Sequence, residues 1–385
     1  MNKHTTVLSS LTSHLSRSEF EKAVKDHQGD KGVRALKTYD FFKMMSYGQL
    51  SGSFSVREIE NSMKANSTKL YHAGLPQLKR STFCDAMEKR DSHIFEDVFH
   101  AVVSKAQRIA GRALKRFKNP LRIIDASTIS LCLSKFDWAA YRKAKGAVKL
   151  HLNLDGDNLI PYDAYLSCGK VHDVHGMAEL CREPGVIYVL DRGYVDYKSL
   201  YDIELRGSFF VTRMKSNGKY KRVKNNPHAK DGPIVSDVVI QMTGNNTGKQ
   251  YPKELRKVRY YDKEFHHTYE FITNNFTLTA QEIADIYKAR WQVELFFKWI
   301  KQHLKIKSFW GTSENAVFTQ IWVALILSVL LWICRTLESI SASAHQILQM
   351  IKTTLLSKNS VFGLCTKTAP PPEIYSSQLL LEGLL

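Results

Sequence analysis

The sequence predicts an α/β chain: a small all-α region in front, a mixed-sheet core interrupted by a β-rich stretch, and helices at the end. Three observations carry this. Apolar residues recur at helical spacing to about residue 110, the period shortens to that of strands from Leu121, and helical periodicity returns near Thr279.

The front elements follow from local chemistry. Ser55-Val-Arg-Glu58 has the spacing of a capping box and predicts a helix through about Lys64. A Gly-Pro turn over His72–Pro76 leads to a second helix over Ser81–Arg90, and Asp91–Ala110 places Ile94, Phe95, Val98, Phe99, Val102 and Val103 on one face. Two short helices with Lys79, Arg80, Lys89 and Arg90 around the second fit a helix-turn-helix DNA reader, although any small helical bundle shows the same signs. A basic connector from Arg108 to Arg122, ending in Asn119-Pro120, marks the boundary.

Strand character then takes over. Leu121–Thr128, Ala147–Leu154 and Leu159–Leu166 predict a three-stranded meander, with Asp155-Gly-Asp157-Asn158 as the hairpin turn. A helix over Val174–Arg182, a buried strand over Gly185–Asp191, a helix over Val195–Leu205 and a strand over Ser208–Arg213 add a mixed sheet with packed helices. Lys215–Asn226 is basic and turn-rich, and Pro233–Gln241, Glu254–Tyr261 and Thr268–Thr273 are strands. The changes of period divide the chain into a helical domain over residues 1–115, a core over 116–213 and 274–335, a β-rich insertion over 214–273, and a C-terminal helical region and tail over 336–385.

Charge points to the partner. Lys and Arg number 55 against 37 Asp and Glu, a net +18, and the excess is densest toward the front. Nucleic acid is the natural counterpart, because its line of phosphates releases counterions when a basic surface binds. The six cysteines, Cys84, Cys132, Cys168, Cys181, Cys334 and Cys365, form no CxxC pair, so their spacing suggests neither a zinc motif nor a disulfide framework and fits a reducing cytoplasm. The first residues lack a secretory apolar core. Ala316–Cys334 carries no charge over 19 residues, the short end of a membrane span, but contains Thr319, Gln320 and Ser328; we read it as a buried core helix.

Chemistry concentrates in three acids. Asp125 closes the first predicted strand, Asp191 closes the fourth, and Glu294 falls in Tyr287–Lys301. On one continuous helix, at about 100° per residue, Tyr287, Arg290, Glu294 and Lys301 share a face within roughly 60°. Val293, Phe296, Trp299 and Ile300 form the apolar back. Converging carboxylates repel unless divalent cations neutralise them or one takes up a proton, and hard cations such as Mg²⁺ prefer such oxygen ligands.

At these residues the chain resembles the DDE transposases of bacterial insertion sequences, specifically the insertion-sequence-four family. Tyr287, Arg290, Glu294 and Lys301 meet that family's Tyr-(2)-Arg-(3)-Glu-(6)-Lys signature. Ile124-Asp125-Ala-Ser127-Thr128 and Leu190-Asp191-Arg192-Gly193-Tyr194 match its acid motifs. The resemblance implies a ribonuclease H-like core with a β-rich insertion before the third acid, a helical DNA-binding domain in front and helices behind. It implies that Asp125, Asp191 and Glu294 hold two Mg²⁺ ions, for which Mn²⁺ can substitute. Tyr287, Arg290 and Lys301 would grip phosphates at the transposon end, and Arg213 and Lys215 match a basic pair that the family places against DNA. The partners implied are double-stranded DNA, as terminal inverted repeats and target, and a second copy of the chain in a synaptic complex. No membrane is involved, and the compartment is the bacterial cytoplasm, at the nucleoid. The reaction implied is cleavage by water, then attack by the freed 3′-hydroxyl, with a hairpin made and resolved before insertion. A decayed copy acting as a DNA-binding repressor, or a nuclease without strand transfer, would share these residues.

Two other clusters are set aside. His172-Asp173-Val-His175 lacks a third ligand, and Asp155-Gly-Asp157 lacks the later Glu of a calcium loop. Asp137, Asp163 and Asp196 are further acids near the core, and Trp291 stands beside the site.

Overall fold

The computed structural model describes residues 6–77, 79–111, 117–142, 145–229 and 232–365. Helices come first: α1 (Val7–Thr12), α2 (Arg17–Asp26), α3 (Thr38–Ser51), α4 (Val56–Ala65), α5 (Ser67–Leu70), α6 (Arg80–Lys89) and α7 (His93–Ala110). The middle holds β1 (Leu121–Leu131), β2 (Ala140–Arg142), β3 (Lys145–Asp155), β4 (Pro161–Cys168), α8 (Asp173–Leu180), β5 (Ile187–Leu190), α9 (Tyr197–Leu205) and β6 (Phe209–Arg213). Then follow β7 (Tyr220–Asn225), β8 (Ile234–Met242), α10 (Thr247–Gln250), β9 (Glu254–Asp262) and β10 (His267–Thr273). The last helices are α11 (Ala280–Lys288), α12 (Trp291–His303), α13 (Glu314–Leu337), α14 (Ala344–Thr354) and α15 (Val361–Cys365). The Pro370–Pro372 tail and most of the 108–122 connector's middle lie outside the described residues.

Two units divide these elements: residues 1–113, 129–148 and 295–385 in one, 114–128 and 149–294 in the other. The first is organised on α13, which packs against α1, α3, α6, α7 and α14. Its long apolar run is 89% buried, so the charge-free stretch is the core helix the sequence predicts. Each large aliphatic side chain hidden there contributes about 1.5–3 kcal/mol. Two of its polar residues are partnered: Trp310 N–H donates to the Gln320 side-chain oxygen at 3.0 Å, the Gln49 amide donates to the Gln320 carbonyl at 3.1 Å, and the Ser328 hydroxyl donates to the Leu325 carbonyl at 2.7 Å, whereas the buried Thr319 hydroxyl has no hydrogen-bond partner among the described residues. Gly48 lets α3 approach closely, since a Cβ there would lie 2.6 Å from both Ile59 and Trp310.

At α4 the Ser55 hydroxyl accepts from Glu58 N–H at 3.2 Å, as the sequence predicts. The reciprocal bond is displaced by one residue, because the Glu58 carboxylate accepts from Phe54 N–H at 2.8 Å instead. The helix start survives, since the first orphan amides still find acceptors.

The second unit is built on a sheet in the order β3–β1–β5–β6–β10–β9–β8–β7, with β4 beside β3. Strands β1, β5 and β6 are parallel and in step at Ile123, Val189 and Val211. The order β4–β3–β1–β5–β6, with helices α8 and α9 on the connections, is that of a ribonuclease H-like core. Beyond it, β10 pairs antiparallel with β6, Phe271 opposite Arg213, so residues 214–273 lengthen the same sheet. The β6 edge would otherwise present unpaired backbone groups, and β10 satisfies them. A strand, β7, also forms within the stretch read as basic and turn-rich. It is exposed throughout and carries Lys221, Arg222 and Lys224, the charged composition that discourages further strand addition at an edge.

Candidate active site

Three structural positions deliver the acids. Asp125 follows the last β1–β5 register pair, Ile124 opposite Leu190, and Asp191 follows Leu190 on the neighbouring strand. Adjacent parallel strands therefore place both carboxylates at one end of the sheet. Asp125 does not close β1, however, for the strand continues to Leu131. Glu294 comes from the first turn of α12.

The single helix expected over Tyr287–Lys301 is broken. Helix α11 ends at Lys288, α12 begins at Trp291, and backbone bonds across the junction tighten to three-residue spacing: Arg290 N–H to Tyr287 at 3.1 Å, Gln292 to Ala289 at 3.0 Å, Val293 to Arg290 at 3.2 Å. The four signature residues thus do not share one continuous face. Tyr287 is buried against Phe271, ring centroids 4.7 Å apart, rather than lying on a wet stripe. Val293, Phe296, Trp299 and Ile300 are buried as expected. Lys301 is half-buried on the part of α12 that belongs to the first unit, and burial, with Lys307 nearby, lowers its ammonium pKa.

What the break achieves is seen at Arg290. Its guanidinium reaches all three acids: Nη2 donates to Glu294 Oε1 at 2.7 Å, Nη1 lies 3.5 Å from Asp125 Oδ2, and Nε lies 3.9 Å from Asp191 Oδ1. Tyr287 completes the group, its hydroxyl donating to Asp191 Oδ1 at 3.4 Å. One cation thus stands among three carboxylates, an imbalance of two negative charges if all are ionised.

Burial pushes the Asp125 carboxyl up to about 6, against the opposing pull of the Ala126 amide, which donates to it at 2.8 Å, and of Arg290. Burial works against the Arg290 charge, yet Tyr287, Glu294 and Asp191 together hold it above its ordinary value. Burial also raises the Tyr287 phenol to about 12, so it serves as a hydrogen-bond donor at neutral pH. Tyr194 was not foreseen. Its buried hydroxyl lacks a hydrogen-bond partner among the described residues, and burial, with Asp125 next in effect among its causes, drives its pKa up strongly. Only its place in Leu190–Tyr194 hinted at this, since an aromatic after an acid reads equally as core.

Arg213, at the end of β6, lies over the Tyr269 ring at 4.9 Å. The Lys215 ammonium donates to the Val195 carbonyl at 2.7 Å and lines an open polar cavity of about 640 Å³ with Asp196, Asn217 and Lys219. Trp291 is exposed at the start of α12. The other acids have structural partners: Asp196 caps α9 through Ser199, Asp155 accepts from Asp157 and Asn158 in the predicted turn and pairs with Arg122, and Asp173 pairs with Lys149. Asp137 and Asp163 accept backbone N–H bonds from Trp138 and Ala164.

An oxygen-only set already gathered on a cation is the donor chemistry of a hard divalent metal. Residues 116–330 match the family described as the transposase DDE domain. The chain belongs to the DDE transposases of insertion sequences. It is 29% identical to the probable transposase for insertion sequence element IS5377 of Geobacillus stearothermophilus, over 86% of this chain and 85% of that one. Against the putative transposase y4zB of Sinorhizobium fredii the identity is 31%, over 75% and 80% of the two chains. Residues 3–76 match a domain of unknown function, DUF4372. Among solved structures, a piggyBac transposase synaptic complex with hairpin DNA aligns at TM-score 0.48 and 11% identity, covering 98% of this transposase and 84% of that chain. Transposases of this kind act on DNA with divalent metal ions.

Proposed function

We propose that this transposase cuts DNA at the element's inverted ends and joins them to target DNA, with Asp125, Asp191 and Glu294 as the catalytic acids and ligands of two Mg²⁺ ions, for which Mn²⁺ can substitute. The observation that carries this reading is the ring of three carboxylates around the Arg290 guanidinium. When bound, such a metal pair supplies an activated attacking oxygen and a stabilised leaving oxygen at phosphorus.

The chain's own residues prepare the site. Arg290 offsets the repulsion among the acids and turns from them to a DNA phosphate when cations take its place, a planar fork suited to either partner. Asp125 must be ionised to bind metal, and its burial sets that requirement near pH 6. Tyr287, kept protonated, holds Asp191 in orientation. Lys301, Arg213 and Lys215 contact the DNA backbone, positioning the scissile phosphate without reading sequence. The front helices bring the transposase to its ends, two copies pair those ends in a synaptic complex in the bacterial cytoplasm, and the excised element passes through a hairpin.

The test is a linear DNA carrying the inverted ends, incubated with Mg²⁺ and a target plasmid. Asp125→Ala, Asp191→Ala and Glu294→Ala should each lower cleavage by about a thousandfold or more while leaving DNA affinity within about threefold. Loss of binding and cleavage together in all three variants would remove the catalytic assignment. Cleaved ends without joined products would instead make the protein a nuclease.

A further inference from the structure

We propose that His14, Cys334 and Glu338 form a zinc site in the helical unit, separate in place and chemistry from the acid cluster, that staples the turn after α1 to the end of α13. One ligand atom from each of the three lies within 4.8 Å of the other two. Around a tetrahedral zinc, bonds of about 2.0–2.3 Å put neighbouring ligand atoms about 3.3–3.8 Å apart, so side-chain movements of about 1 Å complete the geometry.

The backbone makes the grouping sturdy. Cys334 and Glu338 are four residues apart at the C-terminal end of α13, the spacing that stacks two side chains on one helix face. Cys334 is 1% exposed. His14 lies in the turn between α1 and α2, held where Lys105 donates to its carbonyl at 2.6 Å. The N-terminal segment is further tied to the C-terminal helices by Val7 N–H to the Ser357 carbonyl at 3.2 Å and Leu8 N–H to the Leu355 carbonyl at 3.0 Å.

Donor chemistry selects the ion. Imidazole, thiolate and carboxylate together suit zinc, whereas Mg²⁺ takes oxygen ligands and keeps several waters. With the Cys334 thiol and Glu338 ionised and His14 neutral, the three protein ligands balance the charge of the ion, and a water can take the fourth position. Because the ligands come from segments far apart in the chain, no CxxC-type spacing announces them. The competing arrangement is a metal-free core in which the Cys334 thiol simply donates to the Glu338 carboxylate.

Zinc content of the full-length, tag-free protein, purified without added metal or chelator, distinguishes the two. The site predicts about one zinc per chain, falling below about a tenth in Cys334→Ser and in His14→Ala and unchanged in Asp125→Asn. A wild-type chain without stoichiometric zinc, or zinc that persists in Cys334→Ser, overturns it. If the variants do not fold, wild-type protein loaded with Co²⁺ decides: an intense thiolate-to-cobalt charge-transfer band supports the site, and its absence overturns it.

Discussion

Two arginines in the same sheet unit meet carboxylates in opposite ways. Arg256 on β9 and Asp237 on β8 are both buried and joined as a two-pronged pair, Nε to Oδ1 at 3.0 Å and Nη2 to Oδ2 at 2.6 Å. Arg290 instead faces three acids at 2.7, 3.5 and 3.9 Å. The first site is balanced one to one and geometrically closed. The second has a surplus of negative charge and only one close contact, and the proton affinity of Asp125 rises to about 6 in consequence of its burial there. Closure marks a pair that holds the sheet together, while imbalance marks a place prepared for another cation.

Breaking the closed pair should have the largest effect on stability. Asp237→Ala leaves the Arg256 charge buried without its partner, and a loss of about 3–5 kcal/mol is expected in urea unfolding. A loss below about 1 kcal/mol would mean that the pair is no more structural than the acid cluster.

The open site should respond differently. Arg290→Met removes the positive charge that stands among the acids, and we expect about 1–3 kcal/mol of destabilisation at neutral pH. Mg²⁺, or acidification to about pH 5, should restore most of it, whereas neither should rescue Asp237→Ala. Thermal unfolding of both variants with and without Mg²⁺ gives the comparison, and an Arg290→Met midpoint indifferent to metal and pH would refute the surplus-charge account.

The smallest expected effect is in the pH profile. Because the folded pKa of Asp125 is raised, its contribution to stability is present below the unfolded carboxylate value and is lost as pH rises through about 6. Metal binding follows the opposite course, since it requires the ionised form. Cleavage at subsaturating Mg²⁺ should therefore fall about tenfold between pH 7.5 and pH 5, with the limb centred near 6. A profile flat down to pH 5 would show that the burial of Asp125 does not govern metal uptake.

Much of the site was legible because its signals are local. Asp125 and Asp191 each stand after an apolar run that could only be a strand, and parallel pairing then put them side by side. Tyr287 and Arg290 converge on Asp191, and Arg290 also holds Glu294, but by a route the sequence does not display: Tyr287–Lys301 contains no Gly or Pro, so nothing in it announces a break at Ala289–Arg290. That turn arises from tightened backbone bonds beside a guanidinium held by acids from remote strands, and local propensity has no term for such contacts. Tyr194 was hidden for the same reason.

The sequence by itself determined the succession of a helical front, a strand-rich middle and a helical end, the buried fate of the charge-free run in α13, and the choice of Asp125, Asp191 and Glu294 as candidate acids, because periodicity, turn chemistry and fixed motif spacing are properties of neighbouring residues. Tertiary structure alone decided that residues 214–273 extend the core sheet through the β6–β10 pairing. It decided that Arg290 faces the acids and that His14 meets Cys334 and Glu338. Each of these depends on side chains or strand edges distant in the chain, whose encounter is fixed only when burial and backbone pairing are satisfied together.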